Sequence, residues 1–231
     1  MEYSAAQFVE RLRALRSTDA SGPDDYRGVG MGQIFSLARE CMNMPPAEIE
    51  RLLESPTHAV RVGAVSVMDF QARDRKTSLE RKRELFELYL RRHDRIDTWD
   101  LVDRSAIWVV GEYLVDKPRD VLDRLARSDS PMERRTAILA TFAFIRRGEL
   151  DDAYRIAELL VDDPEDTVHK AVGWMLREAG KRDPARQAAF LERHAATMPR
   201  VMLRYAIEKL DKPTRDRWLA MKRPPDSEED D

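Results

Sequence analysis

One short segment combines an aromatic ring with carboxylates at a spacing that suits chemistry on a sugar. In Asp97-Thr-Trp99-Asp100-Leu-Val-Asp103, Trp99 and Asp103 are four residues apart and would share one face of a helix. An aromatic face stabilises a nearby cation, and a carboxylate supplies negative charge or orients water beside a sugar that becomes positive. The alternative is structural, because Trp near a helix start is often a core residue and Asp97 or Asp100 would favour the helix dipole.

A second segment, Lys170-Ala-Val-Gly173-Trp174-Met-Leu-Arg177, places basic residues around another tryptophan. Lys170 and Arg177 lie four residues before and three residues after Trp174, which puts them beside the indole on a helix. Gly173 weakens a helix by roughly 1 kcal/mol relative to Ala. It therefore indicates either close helix packing or the approach of a ligand.

The elements that must position these residues are predicted to be helices. Apolar residues recur at steps of three and four, and four N-cap–proline pairs, Ser55-Pro56, Ser130-Pro131, Asp163-Pro164 and Asp183-Pro184, predict helix starts. No long alternation with period two indicates a sheet. The predicted helices run over Ser4–Leu15, Gly32–Cys41, Ala47–Leu53, Pro56–Gln71, Leu79–Arg92, Thr98–Leu114, Pro118–Ala126, Pro131–Arg146, Asp151–Leu160, Glu165–Ala179, Pro184–Ala195, Pro199–Leu210 and Pro213–Met221.

A faint repeat runs through alternate predicted helices. In each, a basic residue shortly precedes an alanine, and these alanines are 31 to 42 residues apart. This period predicts an all-α, HEAT-like α-solenoid of about six antiparallel helix pairs. The basic members would form a stripe along a concave groove. Alternatively, they are ordinary solvated charges. The adjacent Arg134 and Arg135 could also each pair with a buried acid. We call this set the basic stripe: Arg61, Arg104, Arg135, Lys170 and Arg204.

Composition limits the function classes. The formal net charge of the 231 residues is -3, but the last six residues carry five acids, so the remainder is slightly basic. We expect a single domain over residues 1–222 and a disordered acidic tail over 223–231.

A single cysteine, no signal peptide and no apolar run of about 18 residues predict a cytoplasmic protein without a membrane span. The four scattered histidines form no metal motif and there is no phosphate-binding loop, so we expect no metal and no cofactor.

Three segments resemble a known family. TWDLVD, RRTAIL and KAVGWMLRE occur in this order, at similar separations, in the AlkD-like DNA alkylation repair glycosylases, which are HEAT-like repeat DNA glycosylases. The resemblance covers about Tyr26 to Leu210 and is strongest between Trp99 and Arg177. KAVGWMLRE together with RRTAIL is specific, whereas WDLVD alone would be weak.

The resemblance implies a role for individual residues. Trp99 and Trp174 match tryptophans that contact the deoxyribose of the damaged nucleotide. Asp103 matches the catalytic carboxylate, which stabilises the oxocarbenium-like sugar and positions the attacking water. Arg135 matches a DNA-contacting arginine near the lesion, and Tyr26 matches an N-terminal tyrosine that faces DNA.

The implied function is hydrolysis of the N-glycosidic bond of N3- or N7-alkylated purines in double-stranded DNA, without base flipping, by a monomer. An alkylated purine is cationic and leaves as a neutral base, so one carboxylate suffices and no general acid is needed. Arg61, Lys170, Arg177 and Arg204 would contribute salt-dependent contacts to phosphates. The alternatives are a catalytically silent HEAT-repeat protein that binds damaged or branched DNA, and a protein-interaction scaffold.

Overall fold

The computed structural model describes residues 3–221 apart from residues 19, 21, 23 and 24, and every regular element in that part is helical. The predicted tail lies outside the described residues. A 3-10 turn spans His93–Arg95 and a π-helical segment spans Ala106–Gly111. The α-helices are α1 Ala5–Arg13, α2 Met31–Glu40, α3 Pro46–Leu53, α4 His58–Arg73, α5 Leu79–Arg91, α6 Trp99–Ser105, α7 Asp120–Ala126, α8 Pro131–Ala140, α9 Phe142–Ile145, α10 Asp151–Leu160, α11 Asp166–Gly180, α12 Pro184–His194, α13 Arg200–Ala206 and α14 Lys212–Ala220.

Two of the four predicted N-cap–proline starts are confirmed. Ser130 accepts a hydrogen bond from the N–H of Glu133 at the start of α8, and Asp183 accepts one from the N–H of Arg186 at the start of α12. In both helices the following proline occupies the first turn, where no N–H is needed. These local signals fix where a helix begins because they satisfy backbone donors that nothing else would satisfy.

The other two N-cap–proline pairs do not begin a helix at their proline. The helix expected at Pro56 begins at His58, and the one expected after Asp163 begins at Asp166. The carboxylate of Asp163 instead accepts hydrogen bonds from Arg134 at 2.6 Å and from the N–H of Glu165 at 2.9 Å. Because its oxygens already bind Arg134 and the N–H of Glu165, Asp163 does not cap the helix.

Two predicted long helices are interrupted. The segment expected as one helix over Pro131–Arg146 breaks at Thr141, whose hydroxyl donates to the carbonyl of Ile138 at 2.6 Å. Such bonding of a Thr side chain to the preceding turn bends helices. The segment expected over Thr98–Leu114 changes to π geometry after Ser105, with the N–H of Glu112 donating to the carbonyl of Ile107 at 2.9 Å.

The chain divides into two compact units, Met1–Pro118 and Arg119–Asp231. In the first unit α4 packs between α2 and α6, while α3 and α5 pack against it from a second layer. In the second unit α11 packs between α8 and α13, while α10 and α12 form the other layer. This alternation of successive helices between two layers is the arrangement of a HEAT-like α-solenoid.

Each unit has its own apolar core. Phe8, Met68 and Tyr89 are fully buried in the first unit, and Phe144 and Phe190 are in the second. No helix of the described part of the chain combines the length and the apolar character that a membrane crossing requires. The expectation of a single domain over residues 1–222 and of a concave groove stays a prediction.

Candidate functional site

Trp99 is the first residue of α6, and its side chain is on the surface. It is 59 % exposed, so the alternative that Trp99 belongs to the core is wrong. Asp103 lies one turn further along the same helix and is half-buried. Because residues four apart share a helix face, the predicted aromatic–carboxylate pair lies on one accessible side of α6.

The residues that flank Trp99 are held by contacts from α4. Asp100 accepts from the Thr98 hydroxyl at 2.7 Å, and its other oxygen lies 2.8 Å from Nε2 of His58. Burial alone would raise the pKa of the Asp100 carboxyl, but the contacts with Thr98 and His58 outweigh it and hold that pKa below its ordinary value. Asp100 therefore stabilises the first turn of α6 through these two contacts, in addition to its favourable interaction with the helix dipole.

Arg61 was predicted to contact phosphate as a member of the basic stripe, and the structure places it in the interior of the first unit. It is 7 % exposed. Its Nη1 donates to the carbonyls of Ser55 at 3.1 Å and Pro56 at 3.0 Å, and its Nη2 donates to Asp97 at 3.1 Å. These partners occupy both ends of the guanidinium fork, which leaves little of it for a ligand.

Arg104, another member of the basic stripe, is enclosed in a similar way. Its guanidinium lies over the rings of Phe35 at 4.4 Å and Phe70 at 4.7 Å, and its Nη2 is 3.0 Å from Asp69. Asp69 is fully buried, and burial raises the pKa of its carboxyl despite the nearby Arg104 and Arg73. Burial likewise lowers the pKa of Arg104, although Asp69 opposes this change.

The paired arginines at the start of α8 are both engaged in contacts of the second unit. Arg134 forms the ion pair with the buried Asp163, so the alternative of buried pairing is confirmed for this residue. Arg135, the predicted DNA contact, is 6 % exposed and donates to the backbone carbonyl of Thr167 and to its hydroxyl, the latter at 3.1 Å. Arg135 thus connects α8 to the start of α11.

Trp174 is half-buried on α11, with its ring centroid 6.2 Å from that of Phe142. The adjacent Gly173 faces α13, where a Cβ atom would lie 2.5 Å from both the Met202 carbonyl oxygen and the Tyr205 Cβ. Of the two interpretations of Gly173, close helix packing is the one that the structure supports. The glycine sets the distance between α11 and α13 and thereby the position of Trp174.

The remaining basic candidates of the second unit differ in exposure. Lys170 is exposed and pairs with Asp166, one turn earlier on α11, at 2.5 Å. Arg177 is mostly covered and pairs with Glu178 at 3.3 Å and with Glu208. Arg204 is exposed on α13 and has no ion pair or hydrogen bond of its side chain among the residues that the structure describes. Lys170 and Arg204 are therefore the basic-stripe members best placed for a ligand.

Tyr26 is half-buried and has the Arg16 guanidinium 5.7 Å from its ring centroid. It lines an open cavity of about 490 Å³ together with residues 56–59, which lead into α4. Tyr26 therefore shares this cavity with His58, the residue that contacts Asp100.

Sequence reasoning missed the partners of the basic residues. His58 was grouped with scattered histidines, Asp69 was not singled out, and Asp97 was considered only for the helix dipole. The repeat period could have identified these partners. The acids that contact His58 and Arg61 lie 42 and 36 residues later, which is about one helix pair along the chain.

Comparison with known proteins gives a consistent result. A family model described as DNA alkylation repair enzyme matches residues 7–210. A solved structure described as a predicted DNA alkylation repair enzyme from Enterococcus faecalis is similar, with a TM-score of 0.63 and 15% sequence identity over 92% of this chain and 99% of that one. No curated protein matches the chain at a significant level. The similar structure shares the fold, and the family match spans most of the chain.

Proposed function

Because the chain belongs to the DNA alkylation repair enzyme family, we propose that it is a monofunctional DNA glycosylase that acts on N3- or N7-alkylated purines in duplex DNA. The observation that carries this proposal is the surface position of Trp99, with Asp103 one turn away on the same face of α6. Because the indole is not packed into the core, its ring face is available for contact with a ligand.

The chemistry needs few groups. The bond between C1′ of the deoxyribose and the purine nitrogen breaks, and its electron pair leaves with the cationic base, which becomes neutral. Positive charge then develops on the sugar, where the carboxylate of Asp103 and the face of Trp99 stabilise it. Water adds to C1′ and releases its proton to solvent. We assign Trp174 a second contact with the deoxyribose, by resemblance to the family.

We propose that the damaged nucleotide stays in the duplex. A glycosylase that flips its base needs a pocket that encloses it. Trp99 is instead on an exposed helix face, which suits contact with a sugar at the edge of the duplex. Lys170 and Arg204 would bind phosphates as point contacts, together with the predicted contacts of Arg135 and Arg177. The reaction requires no metal and no cofactor, and we expect a monomer in the cytoplasm.

The test is release of alkylated base from methylated duplex DNA by the purified protein, measured by chromatography of the freed purines. Asp103→Asn keeps the size of the side chain but removes the charge that faces the sugar, so release should fall by roughly 10²-fold. DNA affinity should persist or rise, because Asp103 repels phosphate. The matched control is Asp116→Asn, which neutralises an exposed acid of the same unit and should leave release unchanged.

The outcomes separate the alternatives. A folded Asp103→Asn protein that binds DNA and releases base at the wild-type rate would remove Asp103 from the mechanism. Wild-type protein that binds duplex DNA carrying an abasic-site mimic but releases no methylated purine would instead be a silent binder of damaged DNA. Wild-type protein that does neither would point to the scaffold alternative.

A further inference from the structure

Two contacts tie the start of α4 to the start of α6, one on each side of Trp99. Arg61 donates to Asp97, two residues before the indole, at 3.1 Å. His58 lies 2.8 Å from Asp100, one residue after it. We call these four residues, Arg61, Asp97, His58 and Asp100, the α4–α6 bridge.

Leu101 and Val102 bury the inner face of the first turn of α6, whereas Trp99 lies outside that core. The helix has only seven residues, and its N-cap Thr98 makes no side-chain capping bond because its hydroxyl donates to Asp100. It continues into π geometry at Ala106 rather than into a regular helix. Trp99 is itself largely in solvent and gains little order from packing. The contacts of Asp97 and Asp100 therefore act on the outer side of this turn, next to the indole.

Arg61 suits the task of fixing the position of the indole. Its guanidinium is bound to the carbonyls of Ser55 and Pro56, which belong to the turn before α4, while it reaches Asp97 with the other side of the fork. The side chain is 9% exposed, whereas that of Asp97 is 46% exposed. A rigid, covered cation thus holds an acid that would otherwise be free to move with the loop.

We infer that Arg61 is a positioning residue, which fixes Trp99 for its contact with the sugar by holding Asp97, and that it is not a phosphate ligand. This inference rests on the proposed glycosylase function. It explains why the first unit buries a basic residue of the basic stripe beside its exposed tryptophan. His58 serves the same purpose through Asp100.

The two roles of Arg61 predict different effects of a change at its partner. If Arg61 bound phosphate, Asp97→Asn would remove a competing acid and tighten DNA binding. If Arg61 positions Trp99, Asp97→Asn loosens the start of α6 and slows base release, and DNA affinity rises by no more than the loss of one surface carboxylate gives. Small displacements of a positioning group are costly for rate, because the reacting atoms must meet in a narrow range of geometries.

The experiment compares Arg61→Met, Asp97→Asn and the double variant in single-turnover base release at saturating protein. Duplex affinity is measured in parallel with DNA carrying an abasic-site mimic. Each single variant should be roughly 10-fold slower than wild type, and the double variant should be no slower than either single one. The dissociation constant should be unchanged in Arg61→Met and should not rise in Asp97→Asn. Arg83→Met, at an exposed arginine of α5 that pairs with Glu80, is the control and should leave both quantities unchanged.

Two results would overturn the inference. One is loss of affinity in Arg61→Met with gain of affinity in Asp97→Asn, both at the wild-type rate of release. The other is wild-type release by Asp97→Asn, which removes no buried group and so remains informative even where Arg61→Met fails to fold.

A second readout separates this inference from the proposed function. With 5-fluorotryptophan incorporated, the ¹⁹F resonance of Trp99, assigned by Trp99→Phe, should broaden or shift in the same way in Arg61→Met and Asp97→Asn. If wild type releases no base but this change appears, the proposed function fails and the positioning role stands. If the resonance is unchanged in both variants, the positioning role fails whatever the activity.

Discussion

The basic stripe has different surroundings in the two units of the molecule. In the first unit both members, Arg61 and Arg104, are largely covered, and acids, carbonyls or aromatic rings contact their guanidinium groups. In the second unit the Lys170 side chain is 44% exposed and Arg204 is exposed. Among the described residues, their only ion pair joins Lys170 to an acid of its own helix. Arg135 is the exception in the second unit, since it is buried against Thr167.

The difference shows that the repeat position of a basic residue does not decide its role. What decides it is whether groups of a neighbouring repeat bind and cover the side chain, as acids do for Arg61 and Arg104 and Thr167 does for Arg135. Asp97 and Asp69 provide such an acid for Arg61 and Arg104, and nothing equivalent faces Arg204 in the described residues. We therefore expect the first unit to use its arginines for stability and positioning, and the second unit to use its exposed cations for DNA.

The largest effect that this comparison predicts is on stability. Arg104→Met would leave Asp69 fully buried with only the half-exposed Arg73 as a charged partner. Loss of one member of a buried ion pair lowers the free energy of unfolding by about 3 kcal/mol. Chemical denaturation should show this loss for Arg104→Met and none for Arg204→Met. Equal stability of the two variants, with weaker DNA binding by Arg104→Met, would reverse the comparison.

A smaller effect is expected on DNA affinity. Lys170→Glu and Arg204→Glu should each weaken duplex binding by roughly 10-fold at low salt and should flatten the salt dependence, since fewer counterions are released. The reason is that the ends of both side chains reach solvent, so neither change breaks a buried contact. Fluorescence anisotropy over a range of salt concentrations measures both quantities.

Lys212→Glu is the control for this pair of reversals. Lys212 is exposed and pairs with Asp216, one turn later on α14. Lys170 pairs in the same way with an acid one turn earlier on its own helix. Lys212 lies outside the basic stripe. An equal loss of affinity in all three variants would show a nonspecific effect of net charge. Unchanged affinity in Lys170→Glu and Arg204→Glu would show that these cations are only solvated surface charges.

A further effect concerns acid stability of the first unit. The pKa of Asp100 is lowered in the folded protein, so the stabilisation from its ionised form is present above the ordinary Asp value of about 4 and is lost as the pH falls through the lowered folded value. Wild type should therefore lose stability over this acidic range more steeply than Asp100→Asn. Parallel pH curves for the two proteins would show that Asp100 contributes no linked protonation.

Local signals predicted most of the fold, and they failed where a contact came from elsewhere in the chain. Ser130 and Asp183 begin helices as expected because a cap needs only the next three residues. The start expected at Asp163 moved because Arg134, 29 residues earlier, takes its carboxylate. The π segment after α6 was not predicted either, since its apolar spacing is compatible with an ordinary helix.

The same limit applies to the candidate site. The spacing of Trp99 and Asp103 predicted a shared face, but exposure of the indole depends on what packs over it, which no four-residue pattern contains. The basic stripe was predicted from residues that precede alanines. Burial of Arg61 and Arg104 depends on acids 36 residues later and 35 residues earlier in the chain, and only the packing of α4 against α6 brings these pairs together.

The smallest predicted effect concerns the ion pair between Lys170 and Asp166 on α11, and its measurement tests whether Asp166 competes with DNA for Lys170. The contact between Lys170 and Asp166 raises the pKa of the lysine, but both side chains are solvated, so exchange of the carboxylate for a phosphate should be easy. Asp166→Asn removes the competing acid and its repulsion of DNA, and should tighten duplex binding by about 2-fold at low salt, with the gain vanishing as salt screens both charges. Asp216→Asn makes the same change to the Lys212 pair on α14 and should leave affinity unchanged. If Asp166→Asn weakens binding instead, the acid holds Lys170 in the orientation that DNA requires, and an ion pair then positions a functional side chain in each of the two units.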